Sequence, residues 1–228
     1  MAELRKTVLG KISGAIGDIV FRERDGLNYI STRPNSFMPG SDPVSVARRE
    51  RFALAAKTSV SINKIPELKF LWSTVKPAGK SVYNYIFKSN YKFISSTEVT
   101  DLLKIVPDNG FGVSLTGNTV NNTSVEAIVS PLGVKSGINL VTETQLKMAC
   151  IVFLSNPVDE SVGAYSLLSL VSENVPMTLT NPVTFNAELT SQQSLIFDKY
   201  QTYKVFIAVL TLGALGNPVH YSNSVLLT

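Results

Sequence analysis

The sequence predicts a mainly β protein with a small helical section: an N-terminal β-hairpin arm, one or two helices, then an antiparallel β-sandwich. Three observations lead there. Apolar and polar residues alternate on both sides of Asp25-Gly26. Helix-start chemistry appears twice between residues 41 and 76, at Asp42-Pro43 and at Pro66. From residue 81 onward short apolar runs recur between Gly, Pro and Asn turns, as in antiparallel sheets.

In the arm, Ile19 and Phe21 alternate with Val20 and Arg22, and Leu27, Tyr29 and Ser31 continue the pattern past the turn. Asp-Gly suits a two-residue hairpin because its central positions need positive φ. Gly10, Gly14 and Gly17 space a preceding strand, and Arg33-Pro34 with Met38-Pro39-Gly40 closes the arm as a loop. Asp42 is the expected N-cap of the first helix, with Pro43 at N1 where its missing N–H costs nothing. Phe52, Ala56 and Val60, at i, i+4 and i+8, are its expected core face, and Arg48 and Arg51 share the opposite one. A second helix starts at Pro66 and stops at Pro77 and Gly79. Expected strands follow at 82–87, 102–106, 112–115, 124–129, 147–154, 166–171, 183–189, 203–212 and 219–227, with turns at Pro107-Asp108-Asn109-Gly110, Thr116-Gly117-Asn118, Ser155-Asn156-Pro157, Asn181-Pro182 and 213–218.

Net charge +4 conceals an asymmetry. Residues 1–92 carry sixteen Lys and Arg against seven Asp and Glu, and residues 93–228 carry five against ten. The sequence therefore divides into a basic arm-and-helix region, 1–92, and an acidic sandwich, 93–228. Opposite halves on like molecules attract head to tail, a contact that builds rings or filaments.

The residue inventory excludes much chemistry. One His (His220) and one Cys (Cys150) cannot supply a Cys/His zinc site or an internal disulfide. Ala78-Gly79-Lys80-Ser81 has the ending of a phosphate-binding loop, but Thr74 stands where its first glycine belongs. Ser-x-x-Lys recurs at Ser61, Ser73 and Ser89 without the companion motifs of an acylating serine. His220 on a terminal strand is expected to face solvent or its neighbours. No cofactor or metal site, and no catalytic residue, is expected. Neither a signal peptide nor a membrane span is expected, and the free Cys suits a cytoplasmic or assembly-associated chain.

Two features remain. Arg22, Arg24 and Arg33 lie on the arm and Arg48, Arg49 and Arg51 on the first helix, and arginine forks onto phosphate or carboxylate. Tyr83, Tyr85, Phe87, Tyr91 and Phe93 are all odd-numbered, so in one continuous strand they share a face, a sheet core or a base-stacking surface.

The run Leu9–Arg22, then Tyr29-Ile30-Ser31-Thr32-Arg33-Pro34, then Ser45-x-x-Arg48-x-x-Arg51-Phe52 resembles a domain-of-unknown-function family of Bacteroidetes bacteria and their phages. The resemblance covers about the first third of the chain and implies no activity. Tyr203–Leu212 followed by Tyr221-Ser222-Asn223-Ser224-Val225 is similar to the last hairpin of fibronectin type III modules, which implies an Ig-like sandwich. The core Trp of those modules has no counterpart, because Trp72 lies in the helical section.

Together these features lead us to expect a non-enzymatic structural or assembly protein, a homo-oligomer or a component docked through its basic arm. The partner is then protein, either itself or an assembly component, and not a membrane. The alternative expectation is a nucleic-acid-binding protein that uses the six arginines.

Overall fold

The computed structural model describes residues 2–3, 13–24, 27–33, 38–133 and 137–227. Gly10, the Asp25-Gly26 turn and Pro34 lie outside them. The chain is mainly β, with three antiparallel sheets, and divides into two compact units, residues 1–46 and 47–228. That boundary differs from the expected one at 92/93, because the helices before residue 92 share a core with strands after it.

The first unit is a four-stranded sheet in the order β1-β4-β3-β2, from β1 (Ala2–Glu3), β2 (Gly14–Ile16), β3 (Ile19–Arg24) and β4 (Leu27–Thr32). Arg24 pairs with Leu27 across the expected hairpin. A second tight hairpin joins β2 to β3, where Ile16 pairs with Ile19 and Gly17 takes φ +57°. The unit also holds the start of α1 (Pro43–Lys64), capped as expected: the Asp42 carboxylate accepts the Ser45 N–H at 2.9 Å.

The second unit has three layers. Its middle is a six-stranded sheet built on two long partners, β7 (Glu143–Pro157) and β11 (Tyr200–Gly213). They run antiparallel with Val152 opposite Val205 and Cys150 opposite Ile207. β8 (Tyr165–Val171) and β9 (Val175–Pro176) flank β7, while β12 (Pro218–Tyr221) and β13 (Val225–Leu227) flank β11. On one side lies a three-stranded sheet, β10-β6-β5, from β5 (Leu115–Val120), β6 (Ser124–Val129) and β10 (Val183–Glu188). Val125, Ala127, Phe185 and Ala187 pack there against Met148, Cys150, Val152, Val205 and Ile207. On the other side lie α1, α2 (Pro66–Val75) and α3 (Val82–Asn90), whose Leu54, Ile62, Leu68, Trp72 and Ile86 meet Ala149, Ile151, Phe153, Phe206 and Ala208. Alternation along β7 and β11 vanishes because both faces are dry. Truncating Phe153 or Phe206 to Ala opens a cavity costing about 3–5 kcal/mol.

Several expectations need correction. Segment 82–87 is helix: the Ser81 hydroxyl accepts the Asn84 N–H at 3.1 Å and starts α3, and Tyr91–Phe93 continue as a 3-10 turn. Tyr83, Phe87 and Tyr91 satisfy the helical spacing i, i+4, i+8 as well as the strand spacing, so the odd-numbered row is not a strand face. Segment 102–106 forms no strand, because side chains take its backbone groups. Asn90, buried, accepts the Lys104 N–H and donates to the Lys104 carbonyl, both at 2.8 Å. The Ser224 hydroxyl accepts the Ile105 N–H at 2.9 Å, and the Trp72 indole donates to the Ile105 carbonyl at 2.9 Å.

The expected turn at Thr116-Gly117-Asn118 lies inside β5, where the register slips between Leu115 and Gly117. The chain turns instead at Asn121, whose side-chain oxygen accepts the Thr123 and Ser124 N–H groups at 2.8 Å. The strand expected over 219–227 breaks at Ser222, whose hydroxyl accepts the Val209 N–H at 2.9 Å. A short helix, α4 (Ser191–Phe197), begins at a reciprocal Thr190–Gln193 cap. Phe52 and Val60 are exposed; the buried stripe of α1 is Leu54, Ala55, Thr58, Ser59 and Ile62. Two hydroxyls sit in that stripe because each bonds back along the helix, Thr58 to the Leu54 carbonyl and Ser59 to the Ala55 carbonyl.

Candidate interaction site

The six arginines divide between the two units. Arg22 is exposed on β3 and pairs with Tyr29 of β4. Arg24 ends β3, and its side chain lies outside the described residues. Arg33 follows β4, is exposed, and donates its backbone N–H to the Asp18 carbonyl. Arg48 and Arg49 are exposed near the start of α1. Arg51 is different: its guanidinium donates to the Tyr91 carbonyl at 2.8 Å and lies 4.4 Å over the Tyr91 ring. It fastens α1 to the end of α3, so the fold already uses its fork.

The aromatic row is likewise engaged internally. Tyr85 meets Trp72 edge-on at 5.6 Å in the core. Phe87 contacts Tyr83 at 6.3 Å, stacks on Tyr91 at 5.4 Å and meets Phe52 at 5.0 Å. Rings that stack on each other are not a free platform for bases.

The arm sheet sorts its side chains by register. Ile16 lies beside Ile19, and Phe21 beside Ile30, all on one face. Ile16 is 71% exposed and Ile19 44%. Among the described residues of this unit none is buried. Four strands with an apolar face normally bury that face against something. The unit is also nearly neutral, with six Lys and Arg against five Asp and Glu in residues 1–46. The positive charge sits instead in residues 47–92, with ten against two.

The sequence reading missed Glu143. This carboxylate, 1% exposed, lies in the second unit where β7 begins. It accepts hydrogen bonds from the Asn139 N–H at 2.8 Å and the Thr211 hydroxyl, and it pairs with His220 Nδ1 at 3.0 Å. Burial alone would raise its pKa. The bonds from Thr211, Asn139 and His220, with the attraction of His220, outweigh that and hold it below the ordinary value. The other imidazole edge faces water, since His220 is 46% exposed. Only Asn139 is local; Thr211 and His220 lie 68 and 77 positions away, beyond the reach of any local pattern. Cys150 is fully buried between the two sheets, and burial pushes its thiol far up in pKa.

Among the described residues no cluster of three or more His, Cys, Asp or Glu could hold a metal ion, and no helix is long and apolar enough to cross a membrane. The chain matches no protein-family model, and comparison with curated proteins returns no relative.

Proposed function

We propose that this is a non-enzymatic assembly protein, in which residues 1–46 are a docking arm completed by a second copy of the chain and residues 47–228 are the body it joins. The observation carrying this reading is the arm's apolar face, Ile16, Ile19, Phe21 and Ile30, on a sheet in which none of the described side chains is buried. Covering it with apolar surface yields about 25 cal/mol per Å2 removed from water. Among the described residues β2 is an outer strand of this sheet, the position at which a further strand would add. Because the arm's net charge is close to zero, its docking is apolar and strand-mediated and changes little with salt.

Light scattering of the full-length chain over a range of concentrations tests this. Self-association that is lost in Ile16→Asp/Ile19→Asp, with the circular dichroism of the body retained, is the expected result. A wild-type chain that stays strictly monomeric at high concentration overturns the reading.

A further inference from the structure

We propose that the outer side of the helical layer, α1 to α3, binds the phosphate backbone of double-stranded nucleic acid without reading its sequence. Residues 47–92 supply ten cations and two carboxylates. One carboxylate, Glu67, is engaged by Lys147 of the underlying strand at 2.6 Å, which leaves Glu50 as the acidic group on the outer side. Lys57, Lys64, Lys69, Lys80, Lys88 and Lys92 are all exposed. Packing places Lys64, Lys69 and Lys88 on the outer side, whereas Lys57 lies over the Tyr165 ring of β8, Lys80 precedes α3 and Lys92 sits in the 3-10 turn. Leu54, Ile62, Leu68, Trp72 and Ile86 turn inward to the sheet, so positions across each helix turn outward. Lys88, half a turn from Ile86 and Asn90, is the clearest case.

The dimensions suit a duplex. The 22 residues of α1 extend about 33 Å, close to one turn of B-form DNA, which carries about 20 phosphate charges in that length. Two other occupants fit less well. An amphipathic helix binds a lipid surface by inserting its apolar stripe, and these helices bury their main stripe against the sheet, leaving Phe52, Val60, Phe70 and Val75 exposed among the lysines. The acids of a neighbouring copy are spread over many elements. Asp101 is held by Lys204, Asp108 by Lys104, and Glu143 is buried with His220. Glu126 and Glu188 face outward on the three-stranded sheet with Glu173 nearby, and Glu98, Asp159, Glu160 and Asp198 are distributed over loops and a helix end, whereas a duplex presents its charge at even spacing. Sequence-independent binding follows from the aromatic side chains, which stack on one another.

Fluorescence anisotropy of a labelled mixed-sequence duplex, titrated with the full-length chain over a range of salt, is the test. The wild type should bind at low salt with a steep log–log salt slope, about 0.9 per phosphate contact. Lys64→Gln/Lys69→Gln/Lys88→Gln should weaken binding about tenfold or more at fixed salt and flatten the slope by roughly 2–3. Lys199→Gln, outside the helical layer, should bind as the wild type does. The proposal is overturned by absent binding at low salt, by an unchanged slope in the triple variant, or by equal affinity for polyglutamate. Binding to phosphatidylserine vesicles in preference to the duplex would also overturn it. The Ile16→Asp/Ile19→Asp variant should retain duplex binding, so this result is independent of the arm.

Discussion

Glu143 is the residue whose chemistry most depends on its surroundings. Its folded-state pKa is depressed, so its charged form contributes stability in full above the unfolded value near 4.5 and loses it as pH falls through the lower folded value. Replacing it with Gln removes a buried, hydrogen-bonded charge facing Thr211 and His220. Glu143→Gln should therefore lose about 1–3 kcal/mol at pH 7, and the gap to wild type should narrow at pH 3. Urea midpoints at the two pH values measure this, and an equal gap at both would contradict the assignment.

At the scale of elements, helices were legible where their ends carry chemistry that sequence alone reveals. Asp42-Pro43 and Pro66 mark two starts correctly, whereas Ser81 and Thr190, which cap α3 and α4, were passed over. Tyr83, Phe87 and Tyr91 carry strand-favouring side chains at both candidate periods, and only the cap decides between them. The link between α1 and α3 rests on Arg51 and Tyr91, forty positions apart and invisible to any local pattern. Arg51→Ala should cost about 1–2 kcal/mol through the lost carbonyl bond and ring contact. Arg48→Ala, exposed one turn earlier, should change stability by less than about 0.5 kcal/mol. Denaturant midpoints at unchanged m-value compare the two.

For the whole molecule, the sandwich and the long apolar strands were legible because two-sided burial writes itself as an unbroken apolar run. The boundary at residue 92 was not, because charge and periodicity report local composition while the core joins Leu54 to Phe206 across 152 positions. The expected basic arm also resolves into a near-neutral arm followed by basic helices. Stability should divide along the same line. In dilute solution, amides of β3 and β4 should exchange with deuterium far faster than those of β7 and β11, because none of the described side chains of the arm sheet is buried while β7 and β11 are dry on both faces. Hydrogen exchange read by mass spectrometry would contradict this if both regions were protected alike.

The order of layers along the chain also governs how the protein emerges during synthesis. Trp72 leaves the ribosome about 140 residues before β11 is complete, a delay of roughly ten seconds or more at ordinary elongation rates. During that interval the apolar faces of α1 to α3 have no sheet to cover them. The same segment carries ten positive charges against two negative, so neighbouring nascent chains repel one another while they wait. The charge that marks this surface in the finished protein thus also opposes contact between two unfinished chains.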